Sequence, residues 1–387
     1  MTDSKHPGPM RFTHLHLENW RNFSLADVDL RHRVFLVGPN ASGKSNFLDV
    51  FRFLHDVVQV GGGLQAAVNL RRGGVSKLRC LGARRHSDIV VKVTVGTDAS
   101  PDMWTYDLTF NQDNRQRPQI KSEVLTANGK ILISRPRPVD DRDTERLTQT
   151  ALEQVNFNQR FRDLVAFLSS IKYMHLVPQL IRDPDRSVGK ANDPYGGDFL
   201  EQIARTPERT RVARLRRILE ALKVAVPQLQ YLELARDVKG TPHLRGKFEH
   251  WRLSGAWQQE DQFSDGTLRL TGLLWALIDG SGPLLLEEPE LSLHPALIRY
   301  LPQMFSRVQR HLGRQILTST HSSELLYDEG IGLDEVLLLI PGDPGTTVTP
   351  ASRSSEIREL LDGGLPLSEA IMPHIAPRQA AQLSMFG

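Results

Sequence analysis

The stretch Gly38-Pro39-Asn40-Ala41-Ser42-Gly43-Lys44-Ser45 fits the pattern G-x-x-x-x-G-K-[ST] of a phosphate-binding loop in full. The apolar run 34–37 precedes it and predicts a strand. Apolar residues between Phe47 and Val58 follow it at helical spacing until Gly61 stops the pattern. Strand, glycine loop and helix in this order are the context that the motif requires. The alternative, a glycine-rich turn with an incidental lysine, is disfavoured by these flanking segments.

Each part of this loop has a chemical reason. Gly38 and Gly43 allow the backbone to wrap an anion, so that N–H groups and the N-terminus of the following helix point at phosphates. Lys44 is expected to neutralise the β- and γ-phosphates, and the Ser45 hydroxyl to be a ligand of Mg²⁺. Asn46, the next residue, belongs to the same predicted nucleotide site.

Two adjacent carboxylates, Glu287 and Glu288, follow an apolar run at 284–286 that predicts a buried strand. The carboxyl edge of an open α/β sheet is where such sheets bind ligands, so we expect both carboxylates at that edge. Glu287 would face Mg²⁺ directly or through water, and Glu288 would orient or deprotonate the attacking water. The alternative is a solvated acidic helix start.

Two further segments carry candidate phosphate contacts. Ser264-Asp265-Gly266 precedes a predicted helix, with Ser264 or Asp265 as the N-cap and Gly266 allowing close backbone approach. A capping turn that binds no ligand is the alternative. Thr318-Ser319-Thr320-His321 ends another predicted strand, so His321 is expected to contact a γ-phosphate or the attacking water. A polar residue at a strand end is the alternative for His321.

The other periodicities outline the fold. Strands at 284–286, 315–317 and 336–340 alternate with helices at 268–278 and 296–308, which predicts a parallel sheet covered by helices.

Before this region the pattern is weaker. Segments 89–95 and 104–110 read as strands of a meander, and residues 135–146 are dense in charge and proline, which indicates an exposed loop or linker. A later helix is predicted to carry an apolar side opposite its arginines. The apolar side would hold Val212, Leu215, Leu219 and Leu222, with Arg211, Arg214 and Arg217 away from it. This part of the chain reads as an inserted lid or arm.

Composition narrows the class. The 387 residues are 40% hydrophobic and 24% charged, with a formal net charge of +3, as in an ordinary globular protein. No apolar run approaches 18 residues and the opening is polar, so we expect a cytoplasmic protein without a membrane span. The single cysteine, Cys80, excludes an internal disulfide and a cysteine-based zinc site. His14 and His16 read as a polar strand edge or, alternatively, a metal pair that lacks a third ligand.

Together these motifs resemble an ATP-binding-cassette (ABC) ATPase of the group that contains RecF, the chromosome-maintenance (SMC) ATPases, the overcoming-lysogenization-defect (OLD) nucleases and their AAA15/AAA21-like relatives. In this resemblance, 263–267 is the signature, Glu287-Glu288 the second nucleotide motif, 290–295 the D-loop and His321 the switch histidine. The segment Trp20-Arg21-Asn22-Phe23 resembles the one that lies near the base, which adds Asn22 and Phe23 to the nucleotide site. The likeness covers about residues 11–60 and 260–342.

The resemblance implies a P-loop α/β core with a mostly parallel sheet, an antiparallel β region and an inserted helical arm. It implies ATP and Mg²⁺ as cofactors, ATP hydrolysis, and a homodimer in which Ser264 of one subunit meets the γ-phosphate held by Lys44 of the other. The expected domains are an N-terminal ATPase lobe at 1–100, the insertion at 101–260, a C-terminal ATPase lobe at 261–345 and a tail at 346–387.

Several residues depart from the transporter-type pattern. Glu287 replaces an aspartate, Asp265 and Thr267 replace signature residues, and His294 occupies the place of the usual D-loop aspartate. The first three favour the RecF-like and OLD-like branch over a transporter motor. The glutamine of the Q-loop is not identified; the candidates are Gln59 and Gln65.

The expected partners follow from charge and length. Two basic clusters could contact nucleic-acid phosphates, of DNA by preference; solvated helix faces are the alternative. The clusters are Arg71, Arg72, Lys77, Arg79, Arg84 and Arg85, and Arg209, Arg211, Arg214, Arg216 and Arg217. Only about 45 residues follow the predicted core, too few for a nuclease domain. We therefore expect an ATPase subunit that controls a separately encoded effector, such as a nuclease, in anti-phage defence or DNA repair. An ATP-dependent scaffold with negligible hydrolysis is the alternative.

Overall fold

The computed structural model describes residues 8–82, 87–156, 158–187, 193–249 and 256–376. Arg84 and Arg85 of the first basic cluster, and the last eleven residues of the tail, lie outside these ranges. The strands, in chain order, are β1 (Arg11–Trp20), β2 (Phe23–Asp29), β3 (Arg33–Val37), β4 (Ile89–Gly96), β5 (Trp104–Gln112), β6 (Pro118–Ala127), β7 (Lys130–Arg135), β8 (Lys172–Met174), β9 (Leu229–Arg236), β10 (Pro242–Phe248), β11 (Ala256–Gln259), β12 (Leu284–Glu287), β13 (Ile316–Thr320), β14 (Val336–Ile340) and β15 (Thr347–Pro350).

The helices are α1 (Lys44–Val58), α2 (Val75–Leu78), α3 (Pro138–Arg142), α4 (Arg162–Ser169), α5 (Pro178–Ile181), α6 (Phe199–Arg205), α7 (Glu208–Ala225), α8 (Asp265–Ile278), α9 (Pro295–Ile298), α10 (Leu301–Leu312), α11 (Ser355–Asp362) and α12 (Leu367–Ile375). None of these helices combines the length and apolar character needed to cross a membrane. By its internal contacts the chain divides into two compact units. The first comprises 1–172, 281–285 and 309–387, and the second 173–280 and 286–308.

The first unit contains a six-stranded sheet in the order β2-β1-β4-β5-β6-β7, in which every neighbouring pair is antiparallel. Strand β4 illustrates the alternation that forms this sheet. The side chains of Ile89, Val91 and Val93 are buried on one face, while the residues between them are partly exposed on the other. The predicted meander at 89–95 and 104–110 corresponds to the pair β4 and β5.

A second sheet has the order β15-β14-β3-β13-β12-β8. Strand β3 runs parallel to both β13 and β14, with Leu36 opposite Ser319 and Leu337. All five residues of β3 are buried, as expected for a strand covered on both faces. This arrangement confirms the predicted parallel core accompanied by an antiparallel region, and it directs the end of β3 into the loop at 38–43.

The second unit has its own core, in which α7, α8 and the sheet β11-β10-β9 pack together. Leu215, Leu219 and Leu222 of α7 are buried there as predicted, but Val212 is wrongly placed, being 58% exposed. Arg214 also differs from the prediction. Its guanidinium lies over the Trp275 ring and pairs with Asp279 at 2.6 Å, because an arginine stem can cover apolar surface while its head stays paired.

Two further predictions are corrected. The helix expected at 296–308 is interrupted between α9 and α10. Pro302 has no N–H to donate to the carbonyl four residues earlier, and an uninterrupted helix would need that bond. The expected exposed linker at 135–146 is an ordered segment containing α3. Its Arg135 and Asp140 are buried and ion-paired with each other, and Arg135 also pairs with Glu123, so the charge density there marks a buried network.

His14 and His16 lie on β1, which is flanked by β2 and β4 and is therefore not an edge strand. Each histidine is bonded to an aspartate of β2: His14 Nδ1 lies 2.8 Å from Asp29, and His16 Nδ1 lies 2.6 Å from Asp27. Among the described residues no group of three or more potential ligands has the arrangement of a metal site. The two histidines contribute cross-strand hydrogen bonds on this face of the sheet.

A buried ion network fixes α1 to the segments on either side of it. Arg72 donates to both carboxylate oxygens of Asp49, at 3.0 and 2.8 Å, and to Asp56 at 2.8 Å. Arg21 donates to Asp49 at 2.9 Å. Burial by itself raises the pKa of Asp49, but the charge and hydrogen bonds of Arg72 outweigh it and hold that pKa below its ordinary value. Arg72 is therefore not available for the DNA contact predicted from its cluster.

We expect Arg72→Ala to lower the free energy of unfolding by about 3–5 kcal/mol, because it leaves two carboxylates buried without their main counter-charge. Because the pKa of Asp49 is lowered in the folded chain, the stabilisation is present above the ordinary aspartate pKa and is lost as the pH falls through the folded value. Urea unfolding at several pH values measures both effects. Arg79→Ala, at an exposed position nearby, is the control, and equal losses in the two variants would contradict this role for Arg72.

Candidate active site

The loop at 38–45 closes by conformations that few residues adopt. Ala41 and Gly43 have left-handed backbones, with φ of 60° and 99°. A Cβ atom at Gly43 would lie 2.0 Å from the side-chain nitrogen of Asn22, and one at Gly38 would lie 2.5 Å from the Leu339 carbonyl oxygen. Glycine at these two positions therefore allows the loop to pack against its neighbours, a second reason for glycine besides the wrapping of an anion expected from the motif.

Lys44 lies inside this loop and is 5% exposed. Its Nζ donates to the carbonyl oxygens of Gly38, at 2.9 Å, and Pro39, at 3.1 Å, and it lies 3.4 Å from Nδ1 of His321. The structure thus brings together the predicted loop lysine and the predicted switch histidine. An ammonium group held by loop carbonyls is positioned to exchange these contacts for phosphate oxygens.

The other loop residues provide different groups. Asn40, Ala41 and Ser45 are exposed, whereas Ser42 is buried and its hydroxyl has no hydrogen-bond partner among the described residues. Backbone N–H groups at the start of a 15-residue helix, an exposed hydroxyl at Ser45 and an unsatisfied hydroxyl at Ser42 fit a phosphate with its Mg²⁺ ion.

Asn22 and Phe23, both predicted to be near the base, lie in different surroundings. The Asn22 side-chain nitrogen donates to the Ser42 carbonyl oxygen at 2.8 Å, and its oxygen accepts from the Asn46 side chain at 2.8 Å. Asn22 and Asn46 therefore brace the loop from within the protein. The Phe23 ring is fully buried against Phe47, with ring centroids 6.2 Å apart, so it has no exposed surface with which a base could stack.

The two carboxylates after β12 are held differently. The hydroxyl of Tyr173 donates to the Glu287 carboxylate, and His175 Nδ1 lies 3.3 Å from the Glu287 carbonyl oxygen. Glu288 has a left-handed backbone with φ of 46°, which is uncommon for a residue other than glycine and is found most often at functional sites. Tyr173 was not predicted, since 114 residues separate it from Glu287.

Ser264, Asp265 and Gly266 form what we call the signature turn. Ser264 is the N-cap of α8, with its hydroxyl accepting from the Thr267 N–H at 3.1 Å, which resolves the two N-cap alternatives. Asp265 pairs with Arg182 at 2.5 Å. A Cβ atom at Gly266 would lie 2.7 Å from the Ser292 carbonyl oxygen, so the absent side chain allows the predicted D-loop to approach.

Arg182 was not predicted from the sequence. Besides pairing with Asp265, it donates to the Phe263 carbonyl oxygen at 2.7 Å, so it binds the chain on both sides of Ser264. The partners are 81 and 83 residues away, and no local pattern joins them. The signal that could have directed attention here is Asp265 itself, because a carboxylate in place of glycine at a phosphate-binding turn calls for a counter-charge.

Comparison with known proteins agrees with this geometry. A family model described as "AAA domain, putative AbiEii toxin, Type IV TA system" matches residues 33–327, a range that contains the loop, the signature turn, both carboxylates and His321. The chain belongs to this AAA_21 family. No curated protein matched the chain.

Several solved structures have a fold similar to that of this chain. An Smc head bound to the C-winged helix domain of ScpA matches with a TM-score of 0.52 at 14% identity, covering 87% of this chain and 97% of that one. An Smc head with an extended coiled coil, bound to the C-terminal domain of ScpA from Pyrococcus furiosus, gives 0.51 at 13%, covering 91% and 100%. An Smc head with a coiled coil and joint from Pyrococcus yayanosii gives 0.51 at 11%, covering 92% and 100%. The chain therefore has the fold of an Smc head domain.

His294, which departs from the transporter-type pattern, and the two Q-loop candidates all make local structural contacts. His294 is the N-cap of α9 and its Nδ1 accepts from the Ala296 N–H at 3.2 Å. Gln59 donates towards the Ser169 carbonyl oxygen at 3.4 Å, and Gln65 donates to the Pro118 carbonyl oxygen at 2.7 Å. Both glutamines thus support local structure in the first unit, and the choice between them for the Q-loop stays open.

The backbone of Glu288 leads to a prediction. Glycine adopts a left-handed backbone without the steric cost that other residues incur, so Glu288→Gly is expected to be more stable than Glu288→Ala by about 1 kcal/mol. Both variants lack the carboxylate, so the comparison isolates the backbone. Thermal or urea unfolding measures the difference, and a glycine variant less stable than the alanine variant would show that the left-handed backbone is not strained.

Proposed function

We propose that this family member binds and hydrolyses ATP with Mg²⁺. The observation that carries the proposal is the loop at 38–45, in which Lys44 Nζ donates to two loop carbonyls and lies 3.4 Å from His321, while Ser45 is an exposed residue. Lys44 would bind the β- and γ-phosphates, and His321 would contact the γ-phosphate or the attacking water. The ion would be held by Ser45 and Glu287 and would neutralise phosphate charge.

Glu288 is proposed as the group that orients or deprotonates the attacking water. Its support is the motif, in which it directly follows the proposed metal ligand, together with its left-handed backbone, a sparsely populated conformation of the kind that clusters at active sites. The carboxylate of Glu287 is held by the Tyr173 hydroxyl, which would keep it oriented for the ion.

We further propose that two copies of the chain close on ATP. Ser264 is exposed at the N-terminus of the 14-residue helix α8, where N–H groups and the helix dipole attract an anion. In the proposed dimer the signature turn of one protomer meets the γ-phosphate bound by the other. Hydrolysis would remove that link and release the pair.

The partner class is also a proposal. We propose that the chain controls a separate effector, such as a nuclease, in defence or repair; the family description, which names a toxin of a type IV toxin–antitoxin system, supports a partner protein only in general terms. For DNA, the structure narrows the candidates on α7 to Arg209, Arg216 and Arg217, which are exposed. Arg214 is engaged by Asp279, and Arg211 donates to the Ala204 carbonyl oxygen at 3.2 Å.

The ATPase proposal is tested by two substitutions. Lys44→Ala is expected to abolish ATP binding, since the phosphates lose their main counter-charge. Glu288→Gln is expected to retain ATP binding and to accumulate an ATP-bound dimer, while turnover falls by at least about 100-fold. Equilibrium binding, phosphate release and mass in solution measure these effects. A Lys44→Ala chain that binds ATP as tightly as the unaltered protein would contradict the proposed ATP site. A biological output that Glu288→Gln leaves unchanged would favour the alternative of an ATP-dependent scaffold with negligible hydrolysis.

The DNA proposal has its own test. Replacing Arg209, Arg216 and Arg217 together by glutamine should weaken duplex binding and reduce the salt dependence of the affinity by roughly one unit of slope per lost phosphate contact. The control replaces Lys121, Lys130 and Arg142, also exposed, and removes the same charge. Equal losses in the two variants would point to general electrostatic attraction rather than to contact through α7. Dependence of ATP turnover on DNA provides a second readout.

A further inference from the structure

A row of alternating charges connects the signature turn with Glu288 inside one protomer. Asp265 begins α8 and pairs with Arg182 at 2.5 Å. Arg269 follows four residues later on the same helix, so it lies on the same face as Asp265. The charges of Asp265 and Glu288 both act on the Arg269 guanidinium. Electrostatic interactions therefore link Arg182 to Asp265, Asp265 to Arg269, and Arg269 to Glu288.

The surroundings of Arg269 are those of a constrained group. It lines a small cavity with Leu176, Leu273, Leu286, Glu287 and Glu288. Its Nε is buried and has no hydrogen-bond partner among the described residues. Burial lowers the pKa of Arg269, and the two carboxylates offset only part of this effect. A buried arginine donor without a partner is costly, and such groups are retained where another arrangement of the site satisfies them.

We propose that Arg269 is a positioning residue that couples the signature turn of a protomer to the orientation of its own Glu288 carboxylate. The proposal rests on the proposed function and goes beyond it, because it joins two different sites of one chain. In the closed dimer the signature turn serves the ATP held by the partner, whereas Glu288 serves the ATP held by its own chain. Arg269 would then make hydrolysis in one site depend on occupancy of the other.

The physical basis is competition for a limited number of charges. A phosphate arriving at the signature turn brings negative charge next to the pair of Arg182 and Asp265 and attracts Arg182. Asp265, no longer neutralised by Arg182, then attracts Arg269 more strongly. Because Arg269 shares a cavity with Glu288 and is acted on by the charges of both carboxylates, its movement would change the position of the Glu288 carboxylate. A displacement on the order of 1 Å at a reacting group can change a rate 100-fold.

The test compares Arg269→Gln with Arg269→Lys and with the control Arg214→Gln. Arg214 is a good match, because it is also a partly buried arginine of the second unit with a single aspartate partner at 2.6 Å. Arg269→Gln should lower kcat roughly 10- to 100-fold while ATP affinity and ATP-driven dimerisation stay within about twofold. Arg269→Lys keeps the charge and should recover much of kcat. Arg214→Gln should leave kcat unchanged.

A second measurement uses the nucleotide-free chain. In a double-mutant cycle of Arg269→Gln and Glu288→Gln, the shifts in Tm should not add, because the first substitution removes a charge that acts on the second group. Additive shifts would show that the two side chains do not interact and would overturn the proposal. The same cycle between Asp265→Asn and Arg269→Gln tests the other half of the row.

The outcomes separate this inference from the function on which it rests. If the unaltered protein turns ATP over and Arg269→Gln turns it over equally fast, only the coupling is wrong. If Arg269→Gln and Arg269→Lys lose stability, ATP binding and kcat together, Arg269 is structural and the proposal fails. If the unaltered protein binds ATP but never hydrolyses it, the enzymatic function fails and the coupling with it.

Discussion

The candidate phosphate site depends on the close contact between Asn22 and position 43. Because Gly43 has no side chain, the Asn22 amide can reach the Ser42 carbonyl oxygen, at 2.8 Å, and stay bonded to Asn46 on the first turn of α1. The preceding residue, Arg21, is in turn paired with Asp49, which Arg72 neutralises in the core. A chain of polar contacts therefore runs from the buried side of α1 to the loop, so that loop geometry is fixed by the folded core rather than by the glycines alone.

The features that could be predicted from the sequence are those determined by residues close together in the chain. The loop at 38–45, the helix after it and the N-cap at Ser264 are each specified by residues within one or two turns. Strand β3 was predictable for the same reason, since an unbroken apolar run fits a strand covered on both faces. The interruption between α9 and α10 was also present in the sequence as Pro302, a signal that the apolar spacing obscured.

The remainder depends on partners distant in the chain. Arg182 and Asp265 are separated by 83 residues, and Tyr173 and Glu287 by 114, so no periodicity connects them. The same limit explains the errors about charge. Arg72 and Arg135 looked like surface residues by type, yet each is buried because carboxylates from other elements surround it. Phe23 shows the converse, since a residue placed near the base by family likeness has its ring in the core.

The arrangement around Glu288 and Arg269 is not the most stable one available to these residues. A left-handed backbone at a glutamate and a buried arginine donor without a partner both raise the free energy of the folded chain. Arg72, by contrast, donates to the carboxylates of both Asp49 and Asp56. Because the two costs occur at neighbouring groups of one cavity, relief of one can be linked to relief of the other. In the coupling proposed above, charge arriving at the signature turn would relieve these costs, whereas a fully satisfied network would resist such a change.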